Sequence, residues 1–377
     1  MVNQPNESSD ILPLIMDTQP KLRRTVTRNE ILQDLRRKIT HGDLLPGDRL
    51  PTHRELKRQM SANIVTLGRA ISQLKLEGFV ETRGSRGTFV SESPPHLCLY
   101  ALVFPSHSAT SNWPRFWEAL AKESERIERG GVLQMPIYYD IANDLRSTSP
   151  DFDRLLEDVH AHRVAGLIFA SHPWVVENTP FLTEPGIPRV ALMPPQSGTF
   201  PHVGVVMTDH DGLIERALDF FVSKGRKRLG VMTTPSVLGE GLLKIRQKAA
   251  ARGLETRPYW MQSVSETSPR SAQATMHLMM SGKDGERPDA IFVTDDNLVE
   301  YATAGILDAR VRVPSEVEVV VHCNFPWPVP SIVPVRRIGF DARQLIAACI
   351  RSIDQQRATG TIPPPVAIPA QFEDELT

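Results

Sequence analysis

Arginines 54, 83 and 86 carry charge suited to phosphate oxygens or a minor groove, while Asn63, Val65, Thr66 and Arg69 offer the mixed polar and apolar groups that touch or approach base edges. All seven fall in one basic segment. Between Lys21 and Val90 fifteen Lys or Arg stand against seven Asp or Glu, an excess of eight in a chain whose net charge is −1. The remainder is therefore about −9, and the excess confined to 70 residues is the electrostatic footprint of a phosphate-binding module. A second set of groups follows apolar runs further along: Ser106, His107, Ser171, His172, Thr208, Asp209, Asp295 and Asn324. Short polar side chains of this kind supply the paired donors and acceptors that ligand hydroxyls need, and Trp113, Phe116, Phe325 and Trp327 could cover an apolar ligand face.

The elements that must position the first set are legible in the pattern. Arg28 to His41 has Ile31, Leu32, Leu35 and Ile39 at helical spacing, with Gly42 as a stop. Pro46-Gly-Asp makes a turn, Leu50-Pro51 forces an extended residue, and Thr52-His-Arg-Glu55 has capping-box spacing for a short helix to about Met60. Asn63 can cap a third helix whose Leu67, Ala70, Ile71 and Leu74 form one face until Gly78. Phe79–Arg83 and Gly87–Val90 read as strands around a Gly-Ser-Arg-Gly turn. Three helices and a hairpin make a winged helix-turn-helix, in which the third helix places its first residues on base edges in the major groove.

The run I-x-x-G-x-L-x-P-G-D-x-L-P-T-x-R-E-L, followed by L-x-x-E-G-F-V-x-x-R-x-x-G-T-F-V, resembles the DNA-binding domain of the GntR family of bacterial transcription regulators over Arg28 to Val90. The resemblance implies Arg54 and the wing turn Gly84 to Gly87 as DNA-contacting positions. Family members usually have Ser-Arg before the recognition helix and another basic residue one turn later, where this chain has Asn63-Ile64 and Gly68. The expected operator therefore differs from the usual family sequence.

Beyond Ser91-Glu-Ser-Pro-Pro95, continuous apolar runs alternate with helical segments: Leu97–Phe104, Val164–Ala170, Arg189–Met193, Val203–Met207, Leu229–Thr233, Ala290–Val293 and Val317–Val321, with a helix from about Trp113 to Arg129. Such strands imply mostly parallel sheets covered on both faces, and about 280 residues suit two α/β lobes. His202-Val-Gly-Val-Val-Met-Thr-Asp-His-Asp-Gly212, Arg287-Pro-Asp-Ala-Ile-Phe-Val-Thr-Asp-Asp296 and Val313-Pro-Ser-Glu-Val-Glu-Val-Val-Val321 resemble a LacI-type effector domain, similar in fold to periplasmic sugar-binding proteins. That resemblance implies a cleft between lobes, a carbohydrate effector and a homodimer, and it carries over most directly to Asp295 and Asn324. Family members usually have Asn and Asp at these positions, and an arginine where this chain has Leu238-Gly-Glu-Gly-Leu242; Arg246 is the candidate replacement. Asp296 is expected to cap the next helix.

The expected organisation is a disordered leader (1–20), a winged helix-turn-helix (21–90), a linker (91–96) and a two-lobed α/β domain (97–377). Lobe 1 takes about 97–210 and 342–360; lobe 2 takes 211–341 and 361–377. Apolar residues at 41% and charged residues at 23% fit a folded protein. No apolar run approaches the roughly 20 residues that span a bilayer, and residues 1–20 lack a basic segment followed by an apolar one, so a cytoplasmic location is expected. Cys98, Cys323 and Cys349 are spaced as core thiols, and the histidines lack zinc-site spacing. With no nucleophile elbow, dinucleotide fingerprint or convincing carboxylate pair, no cofactor and no catalysis are expected. A ligand-responsive regulator of double-stranded DNA accounts for more of the chain than a solute-binding protein or a sugar-processing enzyme.

Overall fold

The computed structural model describes residues 26–110, 113–131, 133–142, 149–192, 200–237, 239–265, 267–268 and 270–376. The leader read at 1–20 and the strand end at Met193 lie outside them. The chain divides into two compact units, one running from the first described residue to Leu76 and including Val80–Val90, the other comprising Glu77–Phe79 and Ser91 onward.

In the first unit, helices α1 (Arg28–Thr40), α2 (His53–Met60) and α3 (Ile64–Leu76) precede strands β1 (Val80–Thr82) and β2 (Thr88–Val90). Thr27 and Thr52 each form a capping box with the glutamate three residues on, satisfying orphan amides at both helix starts. Ser61 adopts φ +52° and ends α2, and Asn63 Oδ1 accepts from Val65 N at 2.9 Å to open α3. The apolar faces of α1 and α3 meet as the 3.6-residue period requires, and Ile31, Leu35, Leu67, Ala70 and Leu74 are buried. The Pro46-Gly47-Asp48 break does more than turn the chain. Asp48 and Leu50 pair with β2, Leu50 N donating to Thr88 O (2.9 Å) and Val90 N to Asp48 O (2.8 Å), so the segment leading into α2 pins the wing.

The second unit holds α4 (Pro95–Cys98), β3 (Tyr100–Val103), α5 (Arg115–Arg129), β4 (Ile137–Tyr138), α6 (Pro150–His160), β5 (Gly166–Phe169), α7 (Pro180–Thr183), β6 (Arg189–Leu192) and β7 (Gly204–Thr208). It continues through α8 (His210–Ser223), β8 (Leu229–Thr233), α9 (Glu240–Ala251), β9 (Met261–Ser263), α10 (Arg270–Met280), β10 (Ala290–Val293) and α11 (Val299–Asp308). β11 (Glu318–Phe325), β12 (Arg336–Asp341), α12 (Ala342–Thr359), β13 (Val366–Ile368) and β14 (Gln371–Phe372) complete it. One sheet, ordered β13-β7-β6-β5-β3-β4, is parallel throughout. The other, ordered β14-β12-β11-β10-β8-β9, is parallel except for β14. The chain crosses between the lobes at Thr208–His210, at Asp341–Ala342 and between β13 and β14.

Three expectations need adjustment. Residues 366–368, assigned from sequence to lobe 2, pair with β7 of lobe 1, so the last crossover falls near residue 370. The apolar run from Leu97 begins as a helical turn, since Pro95 at the first helical position favours one, and the strand starts at Tyr100. The same turn takes up Pro95 and His96, the end of the stretch read as linker. β12 passes so close to β11 that a Cβ on Gly339 would lie 1.8 Å from Cys323 O, which admits only glycine there. Among the described residues no helix is long and apolar enough to cross a membrane.

Candidate nucleic-acid interface and interlobe site

On the first unit, Arg54, Asn63, Val65, Arg69, Gly84 and Arg86 are exposed and Thr66 is half-buried. Arg54 extends from the first turn of α2, and Asn63, Val65, Thr66 and Arg69 occupy the first two turns of α3 and its cap. Arg83 is more constrained than its charge suggested. Its Nε donates to Glu81 Oε1 at 2.6 Å and its guanidinium lies 4.9 Å from the centre of the Phe89 ring, so it braces the wing. Arg49, which the sequence reading passed over, belongs to this surface: its exposed guanidinium sits against Gly87, where an added Cβ would lie 3.0 Å from Nε. Its signal was the isolated extended pairing of Arg49 with Phe89, a tertiary feature.

In the second unit the predicted residues fall into separate groups. Asp296 and Asn324 are both buried, and Asn324 Nδ2 donates to Asp296 Oδ2 at 2.8 Å. Burial, and next the charge of Asp295, push the Asp296 carboxyl up to about 7. Asp295 accepts from Asn297 N (2.9 Å) and Asn297 Nδ2 (2.7 Å) and caps the turn into α11. The capping role expected of Asp296 thus falls to Asp295, and Asp296 is the buried partner of Asn324. Asn297 Oδ1 also accepts from Arg115 N across the lobes at 3.3 Å.

Two histidines join this cluster without having been anticipated. His322, on β11, has its Nδ1 3.9 Å from Asp296 Oδ1, and neither ring nitrogen has a hydrogen-bond partner among the described residues. Burial holds its pKa below the ordinary value, opposed by the Asp295 charge. His210, at the start of α8, packs edge-on to Phe340 at 5.2 Å between ring centres, and burial lowers it to about 4. Both imidazoles are neutral at pH 7, acceptors as well as donors. His322 was visible as a polar interruption in Val319-Val-Val-His-Cys323; His210 had no such signal.

Thr208 and Phe116 line a cavity of about 240 Å³ with His210, Leu192, Val206, Met207 and Leu345. Asp209 instead serves as the cap of α8, accepting from Gly212 N at 2.9 Å. Trp113 packs on Phe104, Trp117 and Tyr139, and exposed His107 lies 5.0 Å from the Tyr139 ring, so these aromatics gather at the carboxyl ends of β3 and β4. Ser106 and Ser171 are half-buried in the loops after β3 and β5. His172 packs on Phe200. Phe325 is buried, whereas Trp327 lies under Lys122 and lines a second cavity of about 300 Å³ with Arg115 and Pro326–Pro330. Arg246 is exposed on α9.

The family model of bacterial regulatory proteins, gntR family, matches residues 27–90, and that of the periplasmic binding protein-like domain matches residues 218–371. The chain is 39% identical over 64 residues to the transcriptional repressor YtrA of Bacillus subtilis, a match covering 17% of this chain and 49% of the relative. It therefore spans about half the length of that curated relative, and 46% of the regulator YhcF of the same organism. The arabinose metabolism transcriptional repressor of Halalkalibacterium halodurans is 24% identical over 347 residues, covering 88% of this chain and 91% of the relative. A LacI family transcriptional regulator from Lactobacillus casei, solved with bound glucose, superposes with a TM-score of 0.51 at 17% identity, over 73% of this chain and 98% of the other. The profile matches fall on the two units that the fold separates, and the solved neighbour shares the two-lobed architecture. The chain therefore carries an N-terminal winged helix-turn-helix domain that matches the gntR family model, followed by a domain that matches the periplasmic binding protein-like model and shares the fold of a LacI-family structure.

Proposed function

We propose that the protein is a transcription repressor that binds a double-stranded DNA operator as a homodimer and is controlled by a small molecule, a carbohydrate, held between the lobes. The observation that carries this reading is the pairing of an exposed basic winged helix-turn-helix with lobes that gather polar groups at the carboxyl ends of their strands, where open α/β sheets bind ligands. The relative named for arabinose metabolism and the glucose-bound structure support a carbohydrate. Neutral His210 and His322, Asn324 and the Asp295–Asp296 pair provide both donors and acceptors for hydroxyls. Ligand-driven change in the mutual orientation of the lobes would alter the spacing of two DNA-binding heads on half-sites about one helical turn apart, and so the operator affinity.

Thermal unfolding against a panel of sugars, sugar acids and nucleosides tests the effector class. At about 100 times the dissociation constant a ligand stabilises by roughly 2.7 kcal/mol, or about 5 to 10 °C for a domain of 150 to 250 residues. A panel in which only non-carbohydrates shift the transition refutes the carbohydrate assignment. Asp295→Asn keeps an acceptor for the Asn297 amide but removes the charge; it is expected to weaken the effector response about tenfold or more while sparing operator affinity, by analogy with other hydrogen bonds to charged groups. An unaltered dose response would place the ligand away from the Asp295 carboxylate. Arg54→Ala is expected to weaken all duplexes alike and to flatten the log-log salt slope by about one unit, measured by titration at several ionic strengths. A wild-type slope would remove Arg54 from the phosphate contacts.

A further inference from the structure

α3 presents an apolar surface where a DNA-reading helix would ordinarily offer hydrogen-bonding groups. Ile64 and Val65, adjacent in its first turn, are 51% and 59% exposed. Thr66 and Leu67 turn toward the protein, Leu67 completely, and the helix buries its other side through Ala70, Ile71 and Leu74. Gly68 follows Ile64 by four residues and Val65 by three, so the three share one face. A glycine inside a helix costs about 1 kcal/mol relative to alanine. Nothing among the described residues calls for one at this position. Its backbone is helical, it has no positive φ, and a Cβ built on it meets no atom within 4 Å. The open space above Gly68 and the two exposed β-branched side chains beside it form a smooth patch without donors or acceptors. Exposed Arg69 lies four residues beyond Val65, and exposed Arg54 and Arg86 belong to the same basic unit.

We infer that this patch reads thymine methyl groups. The inference rests on the proposed DNA-binding function. Every base pair offers polar atoms in the major groove, and only an A·T pair adds an apolar group there, the C5 methyl of thymine. Ile64 and Val65 cannot satisfy the polar code, and burying them against donors and acceptors would leave those groups unpaired. Against methyls they lose only water. Gly68 allows the helix backbone to approach the base edges more closely than any side chain would permit. The surrounding cations favour a phosphate-bearing occupant over an apolar protein partner. The predicted operator half-site therefore carries thymines under the first turn of α3, and its recognition depends on their methyl groups.

The experiment uses the full chain. Duplexes are selected from a random library, and the enriched sequence is remade with deoxyuridine replacing thymidine within the half-sites, which deletes the methyls and preserves the pairing. Affinities are measured at fixed salt for wild type, Val65→Ser and Gly68→Ala. Wild type is expected to lose about fourfold for each contacted methyl, the equivalent of one buried methylene. Val65→Ser is expected to bind the thymine duplex more weakly and to respond less to uracil. Gly68→Ala is expected to raise the thermal stability of the first unit while reducing operator affinity, because the methyl that strengthens the helix occupies the approach to the base edges. Equal wild-type affinity for thymine and uracil duplexes overturns the inference, as does full operator affinity in Gly68→Ala. If no duplex is enriched and none binds at low salt, the DNA-binding reading itself fails, an outcome distinct from tight binding that ignores the methyls.

Discussion

Asp296→Asn is expected to stabilise the second unit at pH 8 and to leave it nearly unchanged at pH 4. The folded carboxyl is raised to about 7 from an ordinary 3.8, chiefly by burial and then by the Asp295 charge. Between those two values the folded protein holds a proton that the unfolded chain has released, so stability falls as pH rises through the window. Below about pH 4 both states are protonated and the term vanishes. Above about 7 the full cost of the buried charge is present, at most about 4 kcal/mol for a shift of three units. Asparagine keeps an oxygen for Asn324 Nδ2, now 2.8 Å from Asp296 Oδ2, and can turn its amide toward His322 Nδ1, which has no hydrogen-bond partner among the described residues. Thermal unfolding of both proteins from pH 4 to 8 checks this. A constant difference between them across the range would show that Asp296 is not the group titrating near neutrality.

A second large effect is expected in the first unit. Leu67 is fully buried on α3, and Leu67→Ala should cost about 2 to 5 kcal/mol through lost transfer energy and the cavity left behind. A domain of this size buries only about 60% of its unfolded surface and has little stability in reserve. The substitution should therefore unfold much of the winged domain at 37 °C and abolish operator binding. The effector-induced thermal shift of the second unit should persist. Calorimetry with a DNA titration separates the two responses, and wild-type operator affinity with an unmoved transition would contradict the packing argument. Because Leu67 lies between Thr66 and Gly68, the contrast with Gly68→Ala is informative. One substitution is expected to remove DNA binding by loosening the helix, the other to weaken it while making the helix firmer.

The cap falling to Asp295 rather than Asp296 shows where sequence reasoning lost resolution. Two adjacent carboxylates follow an apolar strand, and successive residues at a strand end point to opposite sides. Which of them enters the core depends on the position of β11, because Asn324 reaches Asp296 from that strand. Position in the chain cannot decide this. The same holds for Asp209, read as a ligand group and found as the cap of α8, since capping and ligand binding use the same oxygen chemistry.

Local physics by itself determined the helices and hairpin of the first unit. Capping boxes, glycine stops and apolar spacing are short-range signals, and α1, α2 and α3 begin within a residue or two of where those signals stand. It also determined the alternating α/β character of the second unit, since β8 and β10 coincide with their apolar runs. The edge strands β4, β9, β13 and β14 are only two or three residues long, too short for a periodic signal, and their pairing decides which lobe owns each segment. The gathering of His210, His322, Asp296 and Asn324 was likewise decided by tertiary structure alone. These residues come from the start of α8, the turn before α11 and β11. The shifted protonation of His210, His322 and Asp296 arises from burial, a property of the folded interior that no stretch of sequence carries alone.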